Sequence, residues 1–209
     1  MGRVGAAGAP FAGGARHPPG GLRVTLTDAL EILTQRIPER TVCIHANGYV
    51  SRAGCAIRDR DECFYMIGSM GLAPSIGLGV ALAKPTRRVL VLDGDGNVLM
   101  NPGALASIGA AAPRNLYHVC FDNGVHASTG GQRTISDRVH LEDVARACGY
   151  RWSGRVETID AHVVDAFLAR EGPAFLLVRI GLGPPGPPGP RVPHTPEAMT
   201  LRLRRALTS

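Results

Sequence analysis

Two acidic residues and an asparagine follow the ends of two apolar segments, and their side-chain oxygens are well suited to binding a cation. The segment "RRVLVL" runs directly into "DGDGN", which places Asp93 and Asp95 in one glycine-lined turn, and Asn123 follows the apolar segment "NLYHVCF". Two carboxylates this close repel each other, so burying both is costly unless a positive group lies beside them. Carboxylate and amide oxygens suit Mg²⁺ or Ca²⁺, and Mg²⁺ usually completes its shell with water and phosphate oxygens. The pattern indicates a metal-bridged diphosphate; the alternative is that Asp95 only caps a turn.

The elements that would position these side chains are strands and helices in alternation. The predicted strands cover 41–46, 87–93, 115–123 and 174–180; the predicted helices cover 25–37, 73–83, 101–112, 140–150 and 158–170, with Thr27, Asn101 and Asp160 as caps. This alternation predicts an α/β fold with a doubly wound, mostly parallel sheet and helices on both faces. Ligands bind such sheets outside the carboxyl ends of the strands, where Asp95 and Asn123 both fall.

The chain divides by composition into four segments. The predicted divisions are a disordered leader rich in Gly, Ala and Pro at 1–21, a folded domain at 22–180, a Pro/Gly linker at 181–194 and a C-terminal helix at 195–209. Thr195 is predicted to cap that last helix, with Pro196 at its first position.

Composition and charge exclude several classes of function. The chain has 209 residues, of which 44% are hydrophobic and 19% charged, as in an ordinary globular domain. The net charge of +6 comes from scattered arginines and not from the basic stripe of a nucleic-acid surface. No apolar run has the length of a membrane span, and the N-terminus lacks the apolar core of a signal peptide. The five cysteines form no CxxC pair, which favours reduced thiols in a cytoplasmic protein.

Three linked motifs resemble one enzyme family. "GDG", followed after residues 97–122 by Asn123, resembles the thiamine diphosphate motif of the thiamine-dependent 2-oxo acid enzymes. "GSMGLAPSIGLGVALA" and "RRVLVLDGDG" are similar to the segments that precede and carry that motif in these enzymes. The sequence is most similar to the cofactor-binding part of sulfopyruvate and phosphonopyruvate decarboxylases, which implies a thiamine diphosphate-binding fold over about 40–180.

The resemblance also implies roles for individual residues. Asp95 and Asn123 would bind Mg²⁺ through their side chains, and Val125 would bind it through its carbonyl oxygen. Gly68 would accept a hydrogen bond from the amino group of thiamine diphosphate, and Met70 would hold the coenzyme in its bent form. The residues expected to bind the coenzyme are Gly48, Ser51, Gly68, Ser69, Met70, Gly94, Gly96 and Asn97.

Several nearby residues have no unique interpretation from the sequence. We interpret Asp93 as a structural partner of the turn. His45 and His126 could face the site or serve elsewhere. Arg133 and Arg138 could attract an acidic substrate, although solvated arginines are the usual case.

A catalytic glutamate is the missing part. In the family it lies on a separate pyrimidine-binding domain, and none of Glu31, Glu39 and Glu62 lies in a matching motif. The resemblance therefore implies an alpha-type partner subunit that supplies this glutamate, in an α2β2 or larger hetero-oligomer. The expected reaction is decarboxylation of an acidic 2-oxo acid, such as 3-phosphonopyruvate or 3-sulfopyruvate, to an aldehyde and CO2. The alternatives are a carboligase subunit and a non-catalytic phosphate-binding regulatory module.

Overall fold

A computed structural model describes residues 24–184 and 186–208 of the chain. The predicted leader at 1–21 lies outside the described residues. Within the described part, no helix combines the length and the apolarity needed to cross a membrane.

A six-stranded parallel sheet forms the centre of the fold. Its strands are β1 (Val42–His45), β2 (Cys63–Tyr65), β3 (Val89–Gly94), β4 (Leu116–Asp122), β5 (Trp152–Val156) and β6 (Ala174–Arg179). They lie in the order β2-β1-β3-β4-β6-β5, and every neighbouring pair is parallel. Because all residues of β4 and nearly all of β3 are buried, these strands read as continuous apolar runs in the sequence.

In the part of the chain that the structure describes, eight helices cover the two faces of this sheet. They are α1 (Leu26–Arg36), α2 (Tyr49–Ile57), α3 (Ala73–Ala83), α4 (Asp95–Met100), α5 (Gly103–Ala111), α6 (Leu141–Ala147), α7 (Ala161–Leu168) and α8 (Pro196–Thr208). One apolar core contains buried residues of α1, α2 and α7, and a second contains those of α3, α5 and α6. Two cores separated by one sheet confirm the predicted doubly wound fold with helices on both faces.

The structure corrects two predicted helix starts. Thr25, and not Thr27, caps α1, in a reciprocal arrangement with Asp28. Asn101 does not begin the helix predicted at 101–112. It ends α4, and its side chain donates to the carbonyl oxygen of Gly71, while Pro102 precedes α5. The predicted caps Asp160 and Thr195 are confirmed, since each side chain accepts a hydrogen bond from the first turn of its helix.

Four short elements were not expected from the sequence. These are α2, β2, α4 and β5, none of which exceeds nine residues. Two of them, β2 and β5, are the edge strands of the sheet, and α4 arises inside the glycine-lined turn itself.

The segment predicted as a linker has no regular secondary structure where it is described, yet it lies against the domain. Arg52 of α2 donates through Nε to the carbonyl oxygen of Gly189 at 3.1 Å. Beyond it, α8 is held at the β2 edge by Arg202, whose guanidinium donates to Asp59 and Asp61.

Candidate functional site

A cavity of about 670 Å³ opens at the carboxyl ends of the strands. It is lined by the segments that follow β1, β2, β3, β4 and β6, and by the start of α1. A volume of this size suits a small organic ligand or cofactor. The predicted site residues that line it are Met70, Gly94, Asp95, Gly96, Asn97, Asn123 and Val125.

Asp95 is the buried carboxylate of this cavity. It follows β3 directly, and its residue is only 2% exposed. One carboxylate oxygen, Oδ2, accepts a hydrogen bond of 2.5 Å from the hydroxyl of Thr134. Burial raises the pKa of Asp95 above its ordinary value, the Thr134 hydrogen bond opposes the rise, and the nearby charge of Asp122 adds to it. A bound cation would favour the ionised form of this carboxylate.

Asn123 lies at the end of the neighbouring strand and faces the same cavity. The strands β3 and β4 pair in parallel, with Gly94 opposite Phe121, so the residues that follow them emerge side by side. The side-chain oxygen Oδ1 of Asn123 accepts a hydrogen bond of 3.0 Å from the backbone N–H of Val125. This turn fixes the direction of the amide oxygen, which has a second lone pair for another partner.

Asp93, in contrast, uses its oxygens inside the protein. Oδ1 accepts hydrogen bonds from the N–H of Gly94 at 2.8 Å and from Asn97 Nδ2 at 2.5 Å. Oδ2 lies 3.1 Å from Nε2 of His118, a histidine that is fully buried. Because a carboxylate only accepts, Nε2 must carry the proton. Asp93 therefore holds the turn together, as the sequence analysis proposed.

Two glycines at the site, Gly96 and Gly48, have no room for a side chain; Gly96 lines the cavity, and Gly48 lies between two residues that line it. A Cβ atom at Gly96 would lie 2.5 Å from the ring of His126. A Cβ at Gly48 would lie 2.7 Å from the Ser128 hydroxyl, and Gly48 also has a φ of +80°, which favours glycine. Gly48 precedes α2, whose first turn receives no side-chain cap. The backbone N–H groups of the first turn of α2 are thus available to an anion beside the cavity.

Other predicted coenzyme contacts lie outside the cavity lining. The hydroxyl of Ser51 is turned into the protein, where it contacts the carbonyl oxygens of Ala46 at 2.7 Å and Met66 at 2.9 Å. Gly68 and Ser69 lie on the exposed turn before Met70, and Ser69 has a φ of +52°, which is strained for a residue with a side chain. Their roles, and the role of Gly48, remain predictions.

The structure shows which of the residues with several possible roles lie at the cavity and which do not. His126 lines the cavity. His45 is buried against Tyr65, with ring centroids 4.7 Å apart, and burial lowers its pKa to about 4, so it is a neutral core residue. Arg133 is exposed and pairs with Asp137, and neither Arg133 nor Arg138 lines the cavity.

Sequence reasoning missed four polar residues near the site. Ser128 lines the cavity, and Thr134, Ser136 and His118 support its carboxylates. In the sequence, Thr134 and Ser136 belong to the segment "TIS" after the glycine-rich loop, and this segment has no apolar pattern that would predict where it lies. His118 lies within the apolar pattern of a predicted strand, so the sequence did not indicate that it supports the site.

Comparison with known proteins identifies relatives along most of the chain. The chain is 46% identical to a phosphonopyruvate decarboxylase of Streptomyces viridochromogenes over 171 residues, which cover 78% of this chain and 43% of that protein. It is 41% identical to sulfopyruvate decarboxylase subunit beta of Methanothermobacter thermautotrophicus, over 75% of this chain and 82% of that subunit. The chain thus spans less than half of the length of the phosphonopyruvate decarboxylases that it matches.

Solved structures agree on the fold. A benzoylformate decarboxylase from Polynucleobacter necessarius superposes with a TM-score of 0.64 at 17% identity, over 83% of this chain and 36% of that chain. The family model of the thiamine pyrophosphate enzyme C-terminal TPP-binding domain matches residues 54–178, which contain both Asp95 and Asn123. The chain therefore belongs to the thiamine pyrophosphate enzyme family, as a member that carries the C-terminal TPP-binding domain.

Proposed function

We propose that this chain is the thiamine diphosphate- and Mg²⁺-binding subunit of a decarboxylase that acts on an acidic 2-oxo acid. One observation carries the proposal: Asp95 and Asn123 follow neighbouring parallel strands and line one cavity of about 670 Å³. The relatives named phosphonopyruvate decarboxylase and sulfopyruvate decarboxylase support the reaction and the class of substrate.

The donor set fits a magnesium diphosphate. Asp95 and Asn123 offer one carboxylate and one amide oxygen, and the carbonyl oxygen of Val125 would be a third ligand. Three hard oxygen ligands leave room for phosphate oxygens and water around Mg²⁺. Gly96 lines the cavity and the first turn of α2 has no side-chain cap, so backbone N–H groups at both places would donate to the diphosphate.

When bound, the coenzyme supplies the nucleophilic carbon and the electron sink for decarboxylation. This chain's residues bind and orient it. Met70 lines the cavity and would support the bend between the two rings of the coenzyme. The apolar side chains of Phe121, Val50 and Leu26 also line the cavity and would keep water from its interior.

The acidic group of the substrate needs a hydrogen-bond donor. Among the described residues that line the cavity, His126 has the one side chain that can carry a positive charge. His126 and the hydroxyl of Ser128 lie beside Gly96 and Gly48, respectively, so both would be near a diphosphate bound as proposed. We expect His126 to contribute to binding of the coenzyme or of the substrate.

An exposed apolar surface near Met70 supports a partner subunit. It consists of Ile67, Leu72 and Met100, which are 60%, 44% and 58% exposed. Gly71, between them, contacts both Asn97 and Asn101, so this surface adjoins the turn that holds Asp95. Apolar side chains that remain exposed at one place are typical of an interaction site. The occupant proposed is an alpha-type subunit that carries the pyrimidine-binding domain and the catalytic glutamate.

The test is a comparison of activities with and without that partner. The chain is co-expressed with a candidate alpha-type subunit, and the complex is supplied with thiamine diphosphate, Mg²⁺ and a panel of 2-oxo acids. We expect 3-phosphonopyruvate or 3-sulfopyruvate to yield an aldehyde and CO2, measured by mass spectrometry. We expect the chain alone to show little or no turnover.

Each alternative function has its own outcome in this assay. A complex that joins the substrate to an acceptor carbonyl would be a carboligase. A complex that binds no thiamine diphosphate would contradict the proposal and favour a phosphate-binding regulatory module. Full turnover by the chain alone would contradict the split-subunit assignment.

A further inference from the structure

Two buried carboxylates lie at the ends of neighbouring strands in this site, and they are compensated differently. Asp95 follows β3 and Asp122 ends β4, and they are 2% and 1% exposed. Asp122 forms an ion pair with the guanidinium of Arg179 on β6. Among the described residues, no basic side chain forms an ion pair with Asp95. Of the two buried carboxylates, Asp95 is therefore the one whose charge is not compensated by a described basic side chain.

Two hydroxyl groups connect these carboxylates. The Ser136 hydroxyl donates to Oδ1 of Asp122 at 2.8 Å, and the Thr134 hydroxyl donates to Oδ2 of Asp95 at 2.5 Å. The two hydroxyl oxygens are 3.1 Å apart. Since each hydroxyl has one proton, and each proton is directed to a carboxylate, the orientation of both groups is fixed.

The loop after β4 delivers these hydroxyls to the site. It leaves the sheet at Asn123 and folds back on itself, with Val125 paired to Arg133 in an antiparallel bridge. The backbone N–H of Thr134 then donates to the carbonyl oxygen of Gly124 at 2.9 Å. Thr134 is 8% exposed and does not line the cavity, so it contacts the site only through Asp95 and the loop.

We infer that Thr134 is a positioning residue for Asp95, which sets the direction in which this carboxylate faces a divalent cation in the cavity. With Oδ2 engaged by Thr134, the remaining lone pairs of the carboxylate are directed toward a cation. The residue that orients a metal ligand contributes to metal affinity without touching the metal. This inference rests on the proposed function, since it assumes that Asp95 binds the cation.

The test measures Mn²⁺ binding in the presence of thiamine diphosphate by electron paramagnetic resonance. The samples are the full chain, purified with its partner subunit, and the variants Thr134→Val, Thr134→Ser and Thr200→Val. Thr134→Val should weaken Mn²⁺ binding by about 10–100-fold, the usual effect of losing a group that orients a ligand. Thr134→Ser keeps the hydroxyl and should restore both the affinity and the spectrum of the bound ion. Thr200 lies exposed on α8 and serves as the matched control, with wild-type binding expected.

The outcomes separate this inference from the proposed function. Absence of Mn²⁺-dependent coenzyme binding in the wild-type complex would contradict the proposed function itself. Wild-type binding that is equally tight in Thr134→Val would overturn the role of Thr134 alone. If thermal unfolding shows that Thr134→Val does not fold, Thr134→Ala decides in the same assay, because it removes the hydroxyl without filling its place. Equal loss of affinity in Thr134→Ser and Thr134→Val would also overturn the inference, since the hydroxyl would then have no role.

Discussion

Asp93 and Asp95 are two residues apart in one turn, yet their surroundings are opposite. Asp93 receives donors from Gly94, Asn97 and His118, all within the protein. Among the described residues, Asp95 accepts one short side-chain hydrogen bond, from Thr134 at 2.5 Å, and it lines the cavity. The first carboxylate is satisfied by the fold alone, whereas the second needs a partner that the fold does not supply. The comparison shows how one short motif can combine a structural residue and a binding residue.

The network around Asp93 also reaches the other part of the site. Asn97, held by Asp93, accepts a hydrogen bond of 2.7 Å from the N–H of Gly71. On the far side, Nδ1 of His118 lies 3.1 Å from the hydroxyl of Tyr150. Asp93 thus connects the interior of the sheet with the segment that carries Met70. Asp93 would therefore support the site from within the fold, and its replacement should mainly lower the free energy of unfolding.

The largest expected effect is that of Asp95→Asn on binding. Loss of a residue that only orients a metal ligand usually lowers affinity by about 10–100-fold. Replacing the carboxylate of Asp95 by a neutral amide removes a metal ligand itself, so the Mg²⁺-dependent affinity for thiamine diphosphate should fall by more than this. The fold should remain, because burial already disfavours the charge of Asp95. Calorimetric titration measures the binding and circular dichroism the fold. Coenzyme affinity equal to that of the wild type would contradict the metal-ligand role.

Asp93→Asn is the matched variant, and it should lower the stability of the fold more than Asp95→Asn does. The amide has one oxygen in place of two, so at least one of the three buried donors would face an N–H₂ group. Leaving such a donor unsatisfied should lower the free energy of unfolding by about 1–3 kcal/mol. Urea unfolding of Asp93→Asn and Asp95→Asn measures the contrast. Equal loss of stability in the two variants would show that the two carboxylates do not differ as described.

Tyr150→Phe should have a smaller effect on the same network. It removes the hydroxyl that contacts His118 but keeps the ring, which packs edge-on against Phe175 with centroids 5.9 Å apart. The loss of one hydrogen bond should reduce the free energy of unfolding by about 0.5–1.5 kcal/mol. Coenzyme affinity should stay the same, and a fall in affinity larger than the fall in stability would place Tyr150 in the binding site instead.

The smallest expected effect is a pH dependence of the metal-free protein. Because the pKa of Asp95 is raised in the folded chain, the folded state binds more protons than the unfolded state between the ordinary Asp pKa of about 3.9 and the raised value. The contribution of Asp95 to stability is therefore present at low pH and is lost as the pH rises through this window. Urea unfolding of the wild type and Asp95→Asn at several pH values measures this: the free energy of unfolding of the wild type minus that of Asp95→Asn should fall as the pH rises through the window. If this quantity is constant or rises with pH, the raised pKa is contradicted.

The sequence allowed the sheet and the position of the site to be predicted, for physical reasons. Long apolar runs such as β3 and β4 are buried on both sides, and their carboxyl ends must share one edge of a parallel sheet. Asp95 and Asn123 were found this way. The start of the helix at 101–112 was wrong because Asn101 and Pro102 imitate an N-terminal cap, whereas the chain had already formed α4 from the turn itself.

What the sequence could not predict depends on tertiary contacts. Thr134 reaches Asp95 only because the loop after β4 folds back through the pairing of Val125 with Arg133. The edge strand β2 has three residues, too few for a period to be recognised. The family resemblance implied that Ser51 contacts the coenzyme, and nothing in the sequence indicated that its hydroxyl also reaches the carbonyl oxygen of Ala46 inside the protein.

The position of the metal tests the central claim most directly. Crystals of the chain with its partner subunit, grown with Mn²⁺ and thiamine diphosphate, allow the ion to be located by its anomalous scattering. The expected result is an anomalous peak in contact with the side chains of Asp95 and Asn123 and with the diphosphate. Bound coenzyme with the Mn²⁺ ion held by other residues, or with no ion between these two side chains, would contradict the account.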